Sequence, residues 1–177
     1  KIIMNSIYKI TFLVLLAFLT AFPLNAQSKR KKRKADESTM SWRYETVCEK
    51  TGGSRTGRLI RVTSYVADPV ISIEQSKKNA IHAIIFTGIT ATGICNYKSP
   101  LSKNPSVYDE NLDFFKNFFK SGGTYAKYAN LPTGRPERAI KMSKKEYKVE
   151  TIVSVNESLL RKDLEKANII KSLSSGF

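Results

Sequence analysis

The chain offers few side chains from which a reaction could be built. It holds one histidine, His82, and two cysteines, Cys48 and Cys95. His82 lies between Ile81 and Ala83 in an apolar helical pattern, where an imidazole more often finishes the edge of a core than serves as a general base. No Gly-x-Ser-x-Gly motif supplies a nucleophile for it. Gly52-Gly53-Ser54-Arg55-Thr56-Gly57-Arg58-Leu59 has the glycine spacing of a phosphate loop. However, Arg58-Leu59 stands where Lys and then Ser or Thr must reach phosphate and metal, and a strand follows where a helix N-terminus is required. The segment reads as a hairpin turn. Asp109, Glu110 and Asp113 could line one side of a helix as metal ligands, yet acidic residues at a helix start are what its dipole favours. The residues thus predict no catalytic residue, no cofactor and no metal.

The cysteines carry more information. They are 47 positions apart and do not form Cys-x-x-Cys, which disfavours a redox enzyme. In an exported domain a pair is expected to oxidise where the fold brings it together, so the expectation is a Cys48–Cys95 disulfide tying the first strand to a long loop. The alternative is two free thiols.

Export is read from the N-terminus. Lys1 and Lys9 precede the apolar run Ile10 to Phe22, and Pro23-Leu24-Asn25-Ala26 follows, the order of a secretory signal peptide. Residues 1–26 are assigned to it, with cleavage between Ala26 and Gln27; the other reading of the run is a buried helix. Gln27 stands where a lipid anchor would need cysteine. No stretch reaches the roughly 18 apolar residues of a membrane-spanning helix, so no span is expected after processing.

Residues 27–40 read as a flexible basic arm. Lys29, Arg30, Lys31, Lys32, Arg33 and Lys34 form an unbroken cationic block, and Gln27 to Thr39 has no apolar periodicity. The chain has 30 Lys and Arg against 15 Asp and Glu over 177 residues, and 41% of it is apolar, which suits a single small folded domain. Its first 26 residues hold two of those cations and no acid, so a processed chain carries +13. Such a block binds anions. After export these are envelope lipids or acidic polymers; inside a cell they would be nucleic acid.

Residues 41–177 must supply the scaffold. Trp42 to Cys48 and Leu59 to Val66 alternate as two strands of a hairpin, with Ile60, Val62 and Val66 on one face. Ser72-Ile73-Glu74-Gln75 has capping-box spacing and opens a helix to about Thr87. Ile73, Ala80, Ile81, Ile84 and Ile85 form its inner side, Glu74, Lys77 and Lys78 lie outside, and Gly88 ends it. Thr90 to Pro105 is a long loop. A second helix spans about Val107 to Lys120, with Tyr108, Leu112, Phe115 and Phe119 at helical spacing. Tyr108, Phe114, Phe115, Phe118, Phe119, Tyr125 and Tyr128 read first as core. But Phe114 and Phe118 widen the stripe beyond what a short helix covers, so Phe114, Phe115, Phe118 and Phe119 are also a candidate partner face. A short strand is expected within Thr124 to Ala129, a turn at Leu131 to Pro136, and a period-two strand from Glu146 to Val155. Asn156 caps a last helix with Glu157–Arg161 and Arg161–Glu165 ion pairs. This order predicts an α+β domain, with an antiparallel sheet of four to five strands and two to three helices packed on one face.

The segments Ile73 to His82, Glu146-Tyr147-Lys148-Val149 and Leu160 to Glu165 resemble an uncharacterised family of small exported envelope proteins, over about Ser41 to Phe177. The strand, Ala-containing helix and later Tyr-x-Val strand are loosely similar to the small α+β domains of flagellar assembly protein T and related periplasmic accessory proteins. The resemblance implies a periplasmic or extracellular binding and assembly accessory without enzymatic activity. Its partner would be an envelope protein or an anionic envelope polymer or lipid. The alternative is a nucleic-acid-binding protein using the same arm.

Overall fold

The strand with the plainest period of two becomes the middle of the sheet. The computed structural model describes residues 30, 33, 34, 36, 37, 39–50, 57–93, 95–132, 136 and 138–172. Strand β1 is Tyr44–Lys50, β2 Arg58–Val66, β3 Ala129–Asn130, β4 Arg138–Lys141 and β5 Tyr147–Val155. Every pairing is antiparallel: β1 lies on β2 and β2 on β5, while β3 and β4 share the far edge of β5. The fold is α+β with a five-stranded antiparallel sheet, as the order of elements predicts.

Alternation decides which face is covered. Ile60, Val62, Ser64 and Val66 of β2 and Val149, Thr151, Val153 and Val155 of β5 are all buried. They lie under helix α1, Ser72–His82, which continues as a π-helical turn over Ala83–Thr87 and stops at Gly88. Gly88 holds φ at 82°, and a Cβ there would lie 2.5 Å from the Lys98 carbonyl oxygen, so the stop needs glycine.

Two features of α1 differ from the expectation. Ser72 does not cap the helix: it lies inside, led in by a 3-10 turn at Pro69–Ile71, and its Oγ donates to the Pro69 carbonyl at 2.6 Å. Lys78 is not outside either, being only 2% exposed. The helix is enclosed on both sides, so a position opposite the sheet is buried as well. The ammonium of Lys78 pairs with Asp36 and lies 5.4 Å from the ring centre of Tyr125. Asp36 in turn accepts from the backbone N–H and the hydroxyl of Ser121, at 3.2 and 2.8 Å.

That pairing corrects the boundary of the basic arm. The described residues from Arg30 to Thr39 are helical, and the folded unit begins at Ala35 rather than Ser41, with Lys1–Lys34 as a separate unit. Thr39 is buried and Met40 packs on the core. A buried cation requires a counter-charge, and Asp36 supplies it.

The second layer holds the remaining helices. The single helix expected over Val107 to Lys120 is two, α2 at Val107–Glu110 and α3 at Leu112–Phe119. They part at Asn111, which leaves the helical region with φ −122° and ψ 37°. Its Nδ2 donates to the Val107 carbonyl at 3.0 Å, a side-chain bond that competes with the helical ladder. The strand expected within Thr124 to Ala129 is a 3-10 turn at Thr124–Lys127, and only Ala129–Asn130 pairs with β5. Helix α4, Glu157–Lys166, is capped as expected, Asn156 Oδ1 accepting from Leu159 N at 3.0 Å. Arg161 pairs with Glu165 at 3.4 Å, but Glu157 turns away from Arg161 to Arg58 and Lys98, at 3.2 and 2.7 Å.

Removal of one partner from a buried ion pair costs about 3 kcal/mol or more. Asp36→Ala is therefore expected to lower the free energy of unfolding by about that amount in urea titrations. Asp36→Ala combined with Lys78→Met should restore most of the loss. If the single variant unfolds at the wild-type urea concentration, the N-terminal segment is not part of the folded unit.

Candidate functional site

The first site is a covalent clasp. Cys48 and Cys95 form a disulfide with Cα atoms 6.0 Å apart, the pairing expected from the sequence. It fastens the loop after α1 to the outer edge of β1. The Cys48 N–H donates to the Thr90 carbonyl at 2.9 Å, and Thr92 Oγ1 donates to the Cys48 carbonyl at 2.9 Å. The loop doubles back through an Ile89–Lys98 bridge, which places Lys98 beside Glu157. Burial pushes the Glu157 carboxyl up, but the hydrogen bonds and charges of Lys98 and then Arg58 outweigh it and hold the group below its ordinary value. One carboxylate thus joins the clasped loop, the start of β2 and the start of α4.

The second site is the lone histidine. His82 is 8% exposed at the end of α1. The Trp42 indole stacks on it at 3.8 Å, with Phe86, Tyr108 and Phe119 around it. Tyr44 Oη and His82 Nδ1 are hydrogen-bonded at 2.6 Å. Trp42 reaches this position with φ 48°, a left-handed conformation that the stack offsets. Burial pulls the His82 pKa down to about 3 and pushes that of Tyr44 up to about 12, so both are neutral across the physiological range. The pair is a structural hydrogen bond enclosed by rings. Asp109, Glu110 and Asp113 are exposed, and among the described residues no three metal-ligating side chains converge.

The third is the aromatic stripe, and here the structure corrects the sequence reading. Phe115, Phe118 and Phe119 are buried, and Phe114 packs against them, half-buried. The rings contact one another and Tyr108, Tyr125 and Tyr128. The expected partner face is core: the second layer meets α1 with phenylalanine, and the break at Asn111 lets it fold over.

The fourth site was not legible as an element. β4 and β5 form a hairpin whose turn is closed by Met142 N and Ser143 N donating to the Glu146 carbonyl, at 2.9 and 3.1 Å. Arg138, Lys141, Lys144, Lys145 and Lys148 all lie on it, and none forms an ion pair with a described residue. Glu146, at the turn, is occupied by Arg43 at 2.8 Å. Ile140 and Met142 are 37% and 56% exposed among these cations. The recoverable signal was the alternation Arg138, Ile140, Met142 before Ser143-Lys144-Lys145, masked by its low apolar content.

Of the arm, Arg30, Arg33 and Lys34 are exposed helical residues; Lys29, Lys31 and Lys32 and the cleavage site Ala26–Gln27 lie outside the described residues. Gly52 to Thr56 do so too, and Gly57 leads into β2, as a hairpin turn requires. No helix among the described residues is long and apolar enough to cross a membrane.

Two outcomes follow from this geometry. Closing a 47-residue separation contributes about 4 kcal/mol by the chain-entropy argument, so reduction should lower the free energy of unfolding by roughly that amount in denaturant titrations. The sign for His82 is set by its depressed pKa: the unfolded chain takes up a proton below about pH 6.5 that the folded chain refuses until about pH 3. Stability should therefore fall by about 1.4 kcal/mol per pH unit as pH drops from 6 towards 5, and His82→Phe should flatten that slope. A wild-type slope near zero there would contradict the neutral, enclosed imidazole. No family model matches the chain, and neither a curated protein nor a solved structure is significantly similar to it.

Proposed function

We propose that the chain is an exported, non-enzymatic binding and assembly accessory of the cell envelope, held to an anionic envelope component. The observation that carries this reading is the β4–β5 hairpin, with five cations unpaired among the described residues, four of them on β4 and the turn, which are exposed and outside the buried core. Charges placed where folding has no use for them are available to a partner. The arm Lys29 to Lys34 adds a second cationic element of the same sign.

Three further features agree with export. The signal-like segment of residues 1–26 directs it, the Cys48–Cys95 disulfide is compatible with an oxidising compartment, and the resemblance to small exported envelope proteins points the same way. The enclosure of His82 by Trp42, Tyr44 and Phe86 supports a non-enzymatic role. The six contiguous cations of the arm favour nucleic acid as the second reading.

Fractionation of the cells that make the protein tests the proposal. The expected result is an extracytoplasmic, envelope-bound chain whose intact mass begins at Gln27 and is two hydrogens short of the fully reduced form, released from the envelope by high salt. An unprocessed, reduced chain in the cytoplasm would overturn the reading and favour nucleic acid.

A further inference from the structure

We infer that the β4–β5 hairpin is a docking element for an anionic phospholipid bilayer, a step that rests on the envelope reading above and names the partner of that basic surface. The arrangement of the side chains carries it. Ile140 is directly opposite Lys148 and Arg138 opposite Glu150. Lys148 and Glu150 alternate with the buried Val149 and Thr151, so this set lies on the sheet face turned away from α1. Alternation along the chain carries Met142 to the same side. Two apolar side chains thus stand exposed on one face, with Arg138 and Lys148 beside them and Lys144 and Lys145 at the turn ahead.

Each partner chemistry makes a different demand on such a surface. A bilayer surface rich in anionic headgroups offers charge to the cations and, just beneath, an apolar layer to short aliphatic and thioether groups. Single-stranded nucleic acid is held by cations interleaved with exposed aromatic platforms. The hairpin's one aromatic ring, Tyr147, is half-buried, while its most exposed large apolar side chain is Met142, at 56%. A second copy added to the free edge of β4 would set Arg138 and Lys141 against their own counterparts. Charge complementarity combined with exposed Ile140 and Met142 selects the lipid surface.

Glu146 does not oppose this, because Arg43 neutralises it at 2.8 Å and is itself stacked over Tyr65 at 5.5 Å. From Arg138 to Glu150 the segment carries five cations and two acids, a net +3. The cations recruit the surface and lose force in salt; Ile140 and Met142 hold it by a contact that salt does not screen.

The test is flotation of the chain, in the form recovered from cells, with vesicles of phosphatidylcholine alone or mixed in equal parts with phosphatidylglycerol. It is run for the wild type, Lys144→Gln with Lys145→Gln, and Ile140→Ser with Met142→Ser, each also with Lys29 to Lys34 replaced by Gln. Arg30, Arg33 and Lys34 of the arm and all four altered positions of the hairpin are exposed, and thermal melts check that each variant folds. The expected result is binding to the mixed vesicles alone, weakened about tenfold at low salt by the lysine pair, in both arm backgrounds. The Ile140 and Met142 pair should remove the part of binding that survives high salt.

Equal binding to neutral vesicles, or wild-type binding by either folded hairpin variant, would overturn the inference while leaving an envelope-bound, processed chain intact. Tighter binding to a single-stranded oligonucleotide than to the mixed vesicles, sensitive to Lys144 and Lys145 but not to Ile140 and Met142, would overturn it in favour of nucleic acid. A cytoplasmic chain would instead remove the reading on which it rests.

Discussion

The ammonium of Lys78 lies out of water in the middle of α1, and a buried charge without its counter-charge costs several kcal/mol. Asp36 must therefore be present, and with it the helical residues that carry it and the Ser121 hydroxyl and N–H that orient it. Lys78 is one member of a longer polar series. Ser76 bonds to Ser64 of β2 at 3.3 Å and to Thr151 of β5 at 3.2 Å, and Asn79 donates to Ser64 at 2.9 Å. Glu74 accepts from Tyr125, and His82 is bonded to Tyr44. Together the polar groups of α1 fix the N-terminal segment, the two central strands, the 3-10 turn and the start of β1. An apolar helix could slide on the sheet with little penalty. This one is held in register, because displacement by one turn would leave several buried donors and acceptors unmet at once.

The two edges of the sheet are managed in different ways. β1 would present unpaired backbone groups to any other strand, but the loop after Gly88 is laid along its end and fixed there by the disulfide. Lys98, carried by that loop, meets Glu157 with Arg58, so the clasp also joins α4 to the start of β2. The opposite edge is split between β3 and β4, each short, and β4 bears Arg138 and Lys141. Short strands and charge are what prevent indiscriminate pairing at an open edge. One end of β1 is thus covered by a covalently fixed loop, while the opposite edge is guarded by short strands and charge.

What the sequence disclosed follows from how local the controlling physics is. β2, β5 and the N-cap of α4 were legible because alternation and an Asn side chain act within a few residues. The disulfide could be anticipated because the chain's two cysteines allow one intramolecular pairing. Lys78 was misplaced because its burial depends on Asp36, 42 positions away, and no helical period announces a second layer. The phenylalanines of α3 look like a surplus in the sequence because the cover provided by Trp42, Tyr108, Tyr125 and Tyr128 comes from three separate stretches. β4 was missed because all four of its residues are exposed, so it lacks the apolar alternation by which strands are recognised. Of the basic surface, the contiguous run Lys29 to Lys34 was obvious, whereas the hairpin's charges are dispersed among other residue types and gather only when β4 pairs with β5.

Net charge by itself says little about where a partner binds, since 30 cations against 15 acids could be spread evenly. Folding makes the distribution uneven by committing the acids. Asp36 holds Lys78, Glu49 holds Arg61, Glu74 holds Lys77, Glu157 holds both Arg58 and Lys98, Asp163 holds Lys127 and Glu165 holds Arg161. These pairs lie on or beside the elements that build the core. Few acids then remain near β4, where Glu146 is taken by Arg43 and Glu150 lies across from Arg138. Positive charge therefore gathers on β4 and its turn, which are exposed, and its charges can be neutralised by a partner without breaking an ion pair among the described residues. The demand of buried groups in α1 and α4 for counter-charge and the cationic character of the hairpin are two consequences of the same shortage of acids.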